Sequence, residues 1–404
     1  MKQKIIKLWG LLLALTMCLS LGITAFATER DNGFTDVAES DYFYPAVQWG
    51  LDAGITNGVG DNRYAPDGIV TRAQAVTFLW RMAGEPVPTG AETFQDVKTG
   101  SWYETAVQWA VEQKITEGTG NGNFSPDVTL DRAMCLTLLY RMQGAPLDEA
   151  AAADPVDLEA LREDATLEDF GVALMQAMIA AFRDTENIKT DVHKDAYYEL
   201  AVIWGSMNGV LTENNTGIGE GELTFRPTDP CVRGEMISFL YQTKLMEDAA
   251  NAPVTDELAD GVTIAFPQEY FNLIYRSYNG IPDDEDGILL TVSETASREA
   301  AEAMGQDPDE LGAGELFSIG RVSEEEAQKL AEEDIGFATV FAKDENGKYY
   351  VFYHPTDVRY MRETNEQMEA DQAQWTALNE WANSSVINDI LKYSEGLTAV
   401  SPGN

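Results

Sequence analysis

The sequence predicts a mainly α protein, in which a two-helix unit repeated three times is followed by a smaller α+β domain. Three observations carry this. APDGIVTRAQAVTFLWRM (65–82) returns as SPDVTLDRAMCLTLLYRM (125–142) and as RPTDPCVRGEMISFLYQT (226–243), and self-similarity at long period marks a repeat architecture. Within each copy, apolar residues recur at helical spacing. After residue 261 the pattern changes to short β-rich runs separated by polar, helix-forming segments.

The chain opens with Lys2, Lys4 and Lys7, the apolar run LWGLLLALTMCLSLGITAF, and small residues at Ala25 and Ala27. These are the marks of a secretory signal over 1–27, cleaved after Ala27. A retained membrane anchor is the alternative. Cys18 raises a lipoprotein, but Met17 stands where a small residue is needed. Beyond this leader no apolar run is long enough to span a bilayer. The leader has three lysines and no acid, so the formal charge of −41 becomes −44 beyond it. Such a charge opposes binding to nucleic acid or an anionic membrane. Cys135 and Cys231 remain, each beside a repeated arginine on or next to an apolar face. Two cysteines do not make a disulfide scaffold, and buried free thiols are expected.

Copy one (34–86) begins FTDVAESDYFYPAVQWGLDAGITNG and copy two (94–146) FQDVKTGSWYETAVQWAVEQKITEG, at an offset of 60. Copy three (188–246) is weaker. Asp191 and Trp204 follow Asp96 and Trp109 by 95, but Arg233 follows Arg132 by 101, so about six extra residues sit in the loop ENNTGIGEGE. An insertion, 147–187, separates copies two and three; it is acidic at first, and then LEDFGVALMQAMIAAF reads as an amphipathic helix. In each copy an Asp-Val corner leads through paired aromatics (Tyr42 and Phe43, Trp102 and Tyr103, Tyr197 and Tyr198) into a first helix. Gly54 and Gly209 suit its left-handed end; copy two has Lys114 there. A proline six residues before an arginine then leads into the second helix. Thr71 and Gln74 form a capping box. Asp131 caps copy two, but Met134 cannot complete the box, and Val232 cannot cap by side chain, although Glu235 remains. The cap decays while Arg72, Arg132 and Arg233 persist, which points to a separate task for the arginines.

This ordered pattern, FxDV, an aromatic, AV, a Gly-rich loop and TRAQ, resembles the S-layer homology domain over 34–246. The resemblance implies a pseudo-threefold helical bundle. It implies binding to the secondary polysaccharide of Gram-positive walls, often through pyruvylated sugars, on a secreted protein held at the cell wall. The family's Thr-Arg-Ala-Glu motif then maps ligand contact to Arg72 and Gln74, to Arg132, where Met134 replaces the acid, and to Arg233 and Glu235. Physical chemistry agrees: a pyruvate ketal presents a carboxylate, arginine grips carboxylates bidentately, and a helix N-terminus favours anions. Asp36 and Asp96 stand with the arginines as candidates, and Trp102, like Tyr42 and Tyr197, offers a face to a sugar ring. The competing role for the arginines is an ion pair to Asp36, Asp96 or Asp191 of a neighbouring copy.

Residues 247–261 read as a linker and 262–396 as the α+β domain. VTIAFP, GILLTVSE and GELFSIGRV read as strands, and SEEEAQKLAEED as a helix boxed by Ser323 and Glu326. GFATVFAKDENGKYYVFYH reads as a hairpin turning at Asn346-Gly347, and ETNEQMEADQAQWTALNEWANS as a helix with Trp375, Leu378 and Trp381 on one face. His354 reads as a strand-end residue, and the acidic turn PDDEDG (282–287) as solvated, since it does not fit a calcium loop. No metal cluster, cofactor motif or catalytic constellation stands out. The expectation is a wall-anchored, non-catalytic protein; the alternative is an anchored hydrolase with its site in the C-terminal domain.

Overall fold

The structure is a computed structural model and describes residues 33–90, 94–152, 167–184, 192–193, 196–212, 218–219, 222–223, 225–259, 261–282, 285–333, 336–356 and 360–400. The expected signal over 1–27 and Asp191 lie outside these. The chain divides into two compact units, Met1–Ala250 and Asn251–Asn404.

The first unit is helical. Its elements are α1 (Tyr44–Asp52), α2 (Arg72–Met82), α3 (Glu104–Glu112), α4 (Arg132–Met142), α5 (Asp148–Ala152), α6 (Leu167–Asp184), α7 (Glu199–Met207), a small hairpin of β1 (Ile218–Gly219) and β2 (Glu222–Leu223), and α8 (Arg233–Asn251). α2 packs on α3 and α4 on α7. α8 packs on α1, with the Trp49 and Tyr241 rings 5.6 Å apart and Phe43 against Gly234. In the expected insertion, α6 buries Met175 and Ile179 in the same core, and Gln176 Nε2 donates to Ala150 O of α5 at 3.0 Å.

The caps of the second helices are as the residues dictate. Thr71 and Gln74 close a reciprocal box at α2. Asp131 accepts from Met134 N at 2.7 Å at α4. Glu235 accepts from Val232 N at 3.1 Å at α8. The next donors are met from elsewhere. Arg72 N and Ala73 N donate to Val128 O and Pro126 O, Arg132 N and Ala133 N to Asp229 O and Pro227 O, and Arg233 N and Gly234 N to Gly68 O and Pro66 O, all at 2.8–3.0 Å. Each proline turn thus caps another segment's helix, which explains why proline and arginine recur at one spacing. A backbone ring completes the arrangement: Val70 N to Cys231 O, Cys231 N to Leu130 O, and Leu130 N to Val70 O. At the end of α3, Lys114 takes φ +58 where Gly54 and Gly209 take +72 and +68, a conformation that costs a non-glycine residue about 1 kcal/mol.

The second unit is α+β. Strands β3 (Val254–Ala259) and β4 (Val262–Phe266) form an antiparallel hairpin. β5 (Ile274–Tyr278), β6 (Gly287–Glu294), β7 (Glu315–Val322), β8 (Ala338–Lys343), β9 (Tyr349–Tyr353) and β10 (Thr398–Ala399) form an antiparallel sheet in the order β10-β8-β9-β7-β6-β5. The helices are α9 (Thr295–Ala303), α10 (Pro308–Leu311), α11 (Glu324–Glu333), α12 (Asn365–Ser384) and α13 (Val386–Tyr393). Trp375, Leu378 and Trp381 of α12 are buried as the spacing predicts, with the Trp381 ring against Phe266 and Phe317. α11 covers Val322 and Val351 with Ala327 and Leu330. The β8–β9 turn closes at Gly347, φ +84, with Asp344 accepting from Asn346 N and Lys348 N.

Two expectations are corrected. Where a linker is expected at 247–261, the structure has the end of α8 and strand β3. The helix runs on because Lys244 pairs with Asp248 one turn ahead and Ala249 and Ala250 follow, and Val254–Ala259 finds β4 to pair with. At α11, Ser323 Oγ accepts from Glu326 N at 3.4 Å, but Ser323 N goes to Asp286 of the acidic turn at 2.9 Å. A side chain distant in sequence replaces half of the local box.

Candidate functional site

Each repeated arginine leaves the first turn of a helix and enters a socket made by another segment. Arg72 donates to Thr116 Oγ1 and, at 3.4 Å, to Gly118 O, 5.0 Å from the Phe124 ring centre. Arg132 donates from Nε to Phe225 O at 2.8 Å and lies 5.2 and 5.3 Å from the Phe225 and Phe239 rings. Arg233 donates to Tyr64 O at 2.9 Å and Thr56 Oγ1 at 3.4 Å, 4.7 and 5.3 Å from the Tyr64 and Phe78 rings. Thr56 and Thr116, and Tyr64, Phe124 and Phe225, stand at matching positions of the copies, so the sockets share one plan. The threonine of each ITNG or ITEG run is a repeated signal that sequence reasoning passed over.

The electrostatics of the three differ. Arg132 is 0% exposed, and its Nη1 lies 2.5 Å from Oε1 of Glu235, itself 7% exposed. Glu235 also binds Arg226 Nη2 at 2.9 Å. Arg233 is buried; burial lowers its pKa, with Tyr64 and Asp36 acting the other way. Arg72 is half-buried, and burial, then the nearby Arg141, lowers its pKa. Among the described residues Arg72 has no acid within ion-pair distance, and its buried Nε has no hydrogen-bond partner. The acid that serves Arg132 sits three residues past the N-cap of the next copy's helix. The matching positions of the other two helices hold Gln74 and Met134, neither of them an acid, and among the described residues Arg132 alone of the three arginines has an ion pair.

Asp36 and Asp96 have another task. Asp36 accepts from Tyr64 N and Ala65 N at 2.8 and 2.9 Å, and Asp96 from Phe124 N and Ser125 N at 2.8 and 2.7 Å. Ala65 and Ser125 precede the prolines at φ +57 and +61, and the carboxylates hold that left-handed turn. Burial raises the Asp36 carboxyl, but the two N–H groups and Arg63, at 3.3 Å, outweigh it and the net shift is downward. Sequence reasoning also leaves the helix N-termini open to an anion. In the structure their first N–H groups are spent on the proline turns, so only side chains remain to receive one.

The paired aromatics split by position. Tyr42, Trp102 and Tyr197 are 42%, 62% and 59% exposed, each edge-on to a partner, Phe43, Tyr103 and Tyr198, at 5.1–5.2 Å. Burial, then Glu235, pushes the Tyr42 hydroxyl up to about 12, which puts it beside the Arg132–Glu235 socket. Burial, then Asp131, pushes Tyr197 to about 12, at the start of α4. Gln74 is held in the α2 box.

In the second unit the acidic turn is organised by a cation of the chain. Buried Arg321 donates to the carbonyls of Pro282 and Glu285, and Asp286 pairs with Lys348 at 2.8 Å. Glu294, fully buried, takes both ends of Arg362 at 2.8 and 2.9 Å and accepts from Ser297 Oγ. His354 Nδ1 lies 2.9 Å from Asn383 Oδ1. Among the described residues no group of His, Cys, Asp and Glu is arranged to hold a metal, and no helix is long and apolar enough to cross a membrane.

Repeats, proline-capped helices and arginine sockets define a helical repeat module, and comparison with known proteins shows what it is similar to. Residues 33–76 and 93–133 match the S-layer homology domain. The chain is 33% identical over 134 residues to a cell surface protein of Thermoanaerobacter kivui, covering 32% of this chain and 18% of that protein. It is 26% identical over 227 residues to the surface-layer 125 kDa protein of Lysinibacillus sphaericus, 56% of this chain and 16% of that protein. It is 30% identical over 115 residues to an amylopullulanase of Thermoanaerobacterium thermosulfurigenes, 28% of this chain and 6% of that protein. The chain spans less than a fifth of the length of each. Two of its segments match the S-layer homology domain, and its relatives include S-layer and cell-surface proteins.

Proposed function

We propose that the first unit is a non-covalent anchor to the secondary polysaccharide of a Gram-positive wall, that it grips a carboxylate such as a pyruvate ketal, and that residues 251–404 are the cargo displayed outward. In this reading 188–246 is a third S-layer homology copy, and the cyclic backbone ring and arginine sockets support a pseudo-threefold bundle. The domain matches support a location at the cell surface or wall.

The observation that carries the proposal is Arg72. Arg72 is half-buried and, among the described residues, has no acid within ion-pair distance, so its charge is left to offer an incoming carboxylate. Arg132 has already spent its charge on Glu235. Stepping round the repeats, the surroundings of Arg72 correspond to Tyr197, Asp131 and Met134, so an exposed aromatic borders the groove and can lie against a sugar ring. A charge-assisted hydrogen bond contributes roughly 1.5–3 kcal/mol, so Arg72→Ala weakens wall binding by about 10- to 150-fold. Met134→Glu supplies the missing internal carboxylate and closes the groove with little loss of stability. The assay is co-sedimentation of the full chain with native sacculi and with sacculi stripped of secondary polymer. Undiminished pelleting of both variants, or pelleting with stripped walls, overturns the reading. The name of one relative shows that such domains occur on an enzyme. A hydrolase in residues 251–404 would be revealed by glycan release from sacculi by the full chain.

A further inference from the structure

Cys135 and Cys231 are both free and fully buried. They lie 96 residues apart in sequence, yet the fold brings them to one place. Cys231 sits in the backbone ring, its N–H on Leu130 O at 3.0 Å, and Pro230 lies opposite Asp131 in an antiparallel bridge. Asp131 is the N-cap of α4, and Cys135 follows one turn later, its N–H on Asp131 O at 3.1 Å. The two thiols therefore enter the same part of the core from adjoining backbones and are in side-chain contact. That contact and burial push the Cys135 thiol well up.

We propose that Cys135 and Cys231 are a disulfide site, a staple that joins α4 to the segment leading into α8 when the chain folds in the presence of a small-molecule disulfide. The thiolate of one cysteine attacks the small disulfide, forming a mixed disulfide and releasing one small thiol. The second cysteine's thiolate then attacks the protein sulfur of that mixed disulfide and releases the other small thiol. Two protein thiols and one small disulfide become one protein disulfide and two small thiols, and the protons lost by the cysteines go to the departing thiolates. The thiolate is the reactive form. A pair buried away from solvent is therefore inert in the folded protein, and the redox state is set during folding. The staple closes a loop containing α5, α6 and α7, and long loops gain most from closure.

The test uses the full chain with Cys18→Ser, so that this pair is the only source of thiols. It is refolded from denaturant in glutathione buffer or in dithiothreitol. The expected oxidised product is monomeric, lighter by two hydrogen atoms, and yields one cross-linked peptide joining Cys135 to Cys231. Its first-unit Tm is raised by roughly 5–15 °C. Cys231→Ala folds but loses the rise. Folded reduced protein in the same buffer keeps both thiols, which alkylate only after denaturation. Two free thiols after oxidising refolding, a persistent mixed disulfide, or a Tm no higher than that of the reduced form overturns the proposal.

Discussion

Glu235→Ala separates the structural arginine from the others. Arg132 is wholly enclosed by Phe225, Phe239 and Glu235, and Glu235 is almost as deeply buried. Removing one partner of a buried pair leaves an uncompensated charge, at a cost of about 3–5 kcal/mol. The variant also loses the carboxylate that accepts Val232 N, worth about 1 kcal/mol. For a unit of some two hundred residues, each kcal/mol moves Tm by roughly 2–4 °C, so a fall of about 8–24 °C is expected. Scanning calorimetry reads it, with the transition of residues 251–404 as an internal control. Replacing both partners, Arg132→Met with Glu235→Leu, removes the charge as well as its partner and should recover at least half of the loss. Sugar binding at the Arg72 groove should survive in that double variant. A Tm change within about 2 °C for Glu235→Ala, or a double variant as unstable as the single, would refute the view that this pair is internal wiring.

Three further predictions follow from the same geometry. Asp36→Ala should cost about 1–3 kcal/mol at neutral pH, because the carboxylate accepts two backbone N–H groups. Its folded pKa is depressed, so the contribution is present above the unfolded value near 4 and fades as pH falls through the folded one; wild-type and variant urea curves should converge on acidification. Gly118→Ala should cost about 2–4 kcal/mol by urea denaturation, since Gly118 has φ +84 and an added Cβ would lie 2.5 Å from the Phe94 ring and 2.6 Å from Asn123 O; Gly54→Ala, with open space around it, should cost about 1 kcal/mol. Glu294→Gln should destabilise the second unit alone by about 1.5–3 kcal/mol, because it removes the buried carboxylate that holds both Nη groups of Arg362 and leaves only Asp371, at 2.9 Å, on its Nε; calorimetry would show its transition falling while the first stays in place.

Much of this architecture was legible in the residues. The 60-residue offset, the box of Thr71 and Gln74, and the Asp131 cap placed the second helices, and Asn346-Gly347 placed the β8–β9 turn. These are local: a cap needs only its neighbours along the chain, and a tight turn only its own φ. The arginines marked themselves by persisting while their caps decayed. Their partners did not, because each lies on another segment, and a one-dimensional pattern does not say which loop meets which helix. Asp36 and Asp96 were picked as candidates for charge and position, but Ala65 and Ser125 at positive φ gave them work that no spacing announces.

By itself the sequence determined the repeats, their helices, the prolines and arginines at one spacing, and the change to a β-rich pattern behind them. Local propensity and hydrophobic period suffice for those. Tertiary structure alone decided that each proline carbonyl caps another segment's helix, that Glu235 neutralises Arg132 while Arg72 has no acid beside it among the described residues, and that Cys135 meets Cys231. Such pairings depend on which backbones the closing of the ring brings together. Whether a buried charge is spent or free depends on partners supplied from a distant part of the chain.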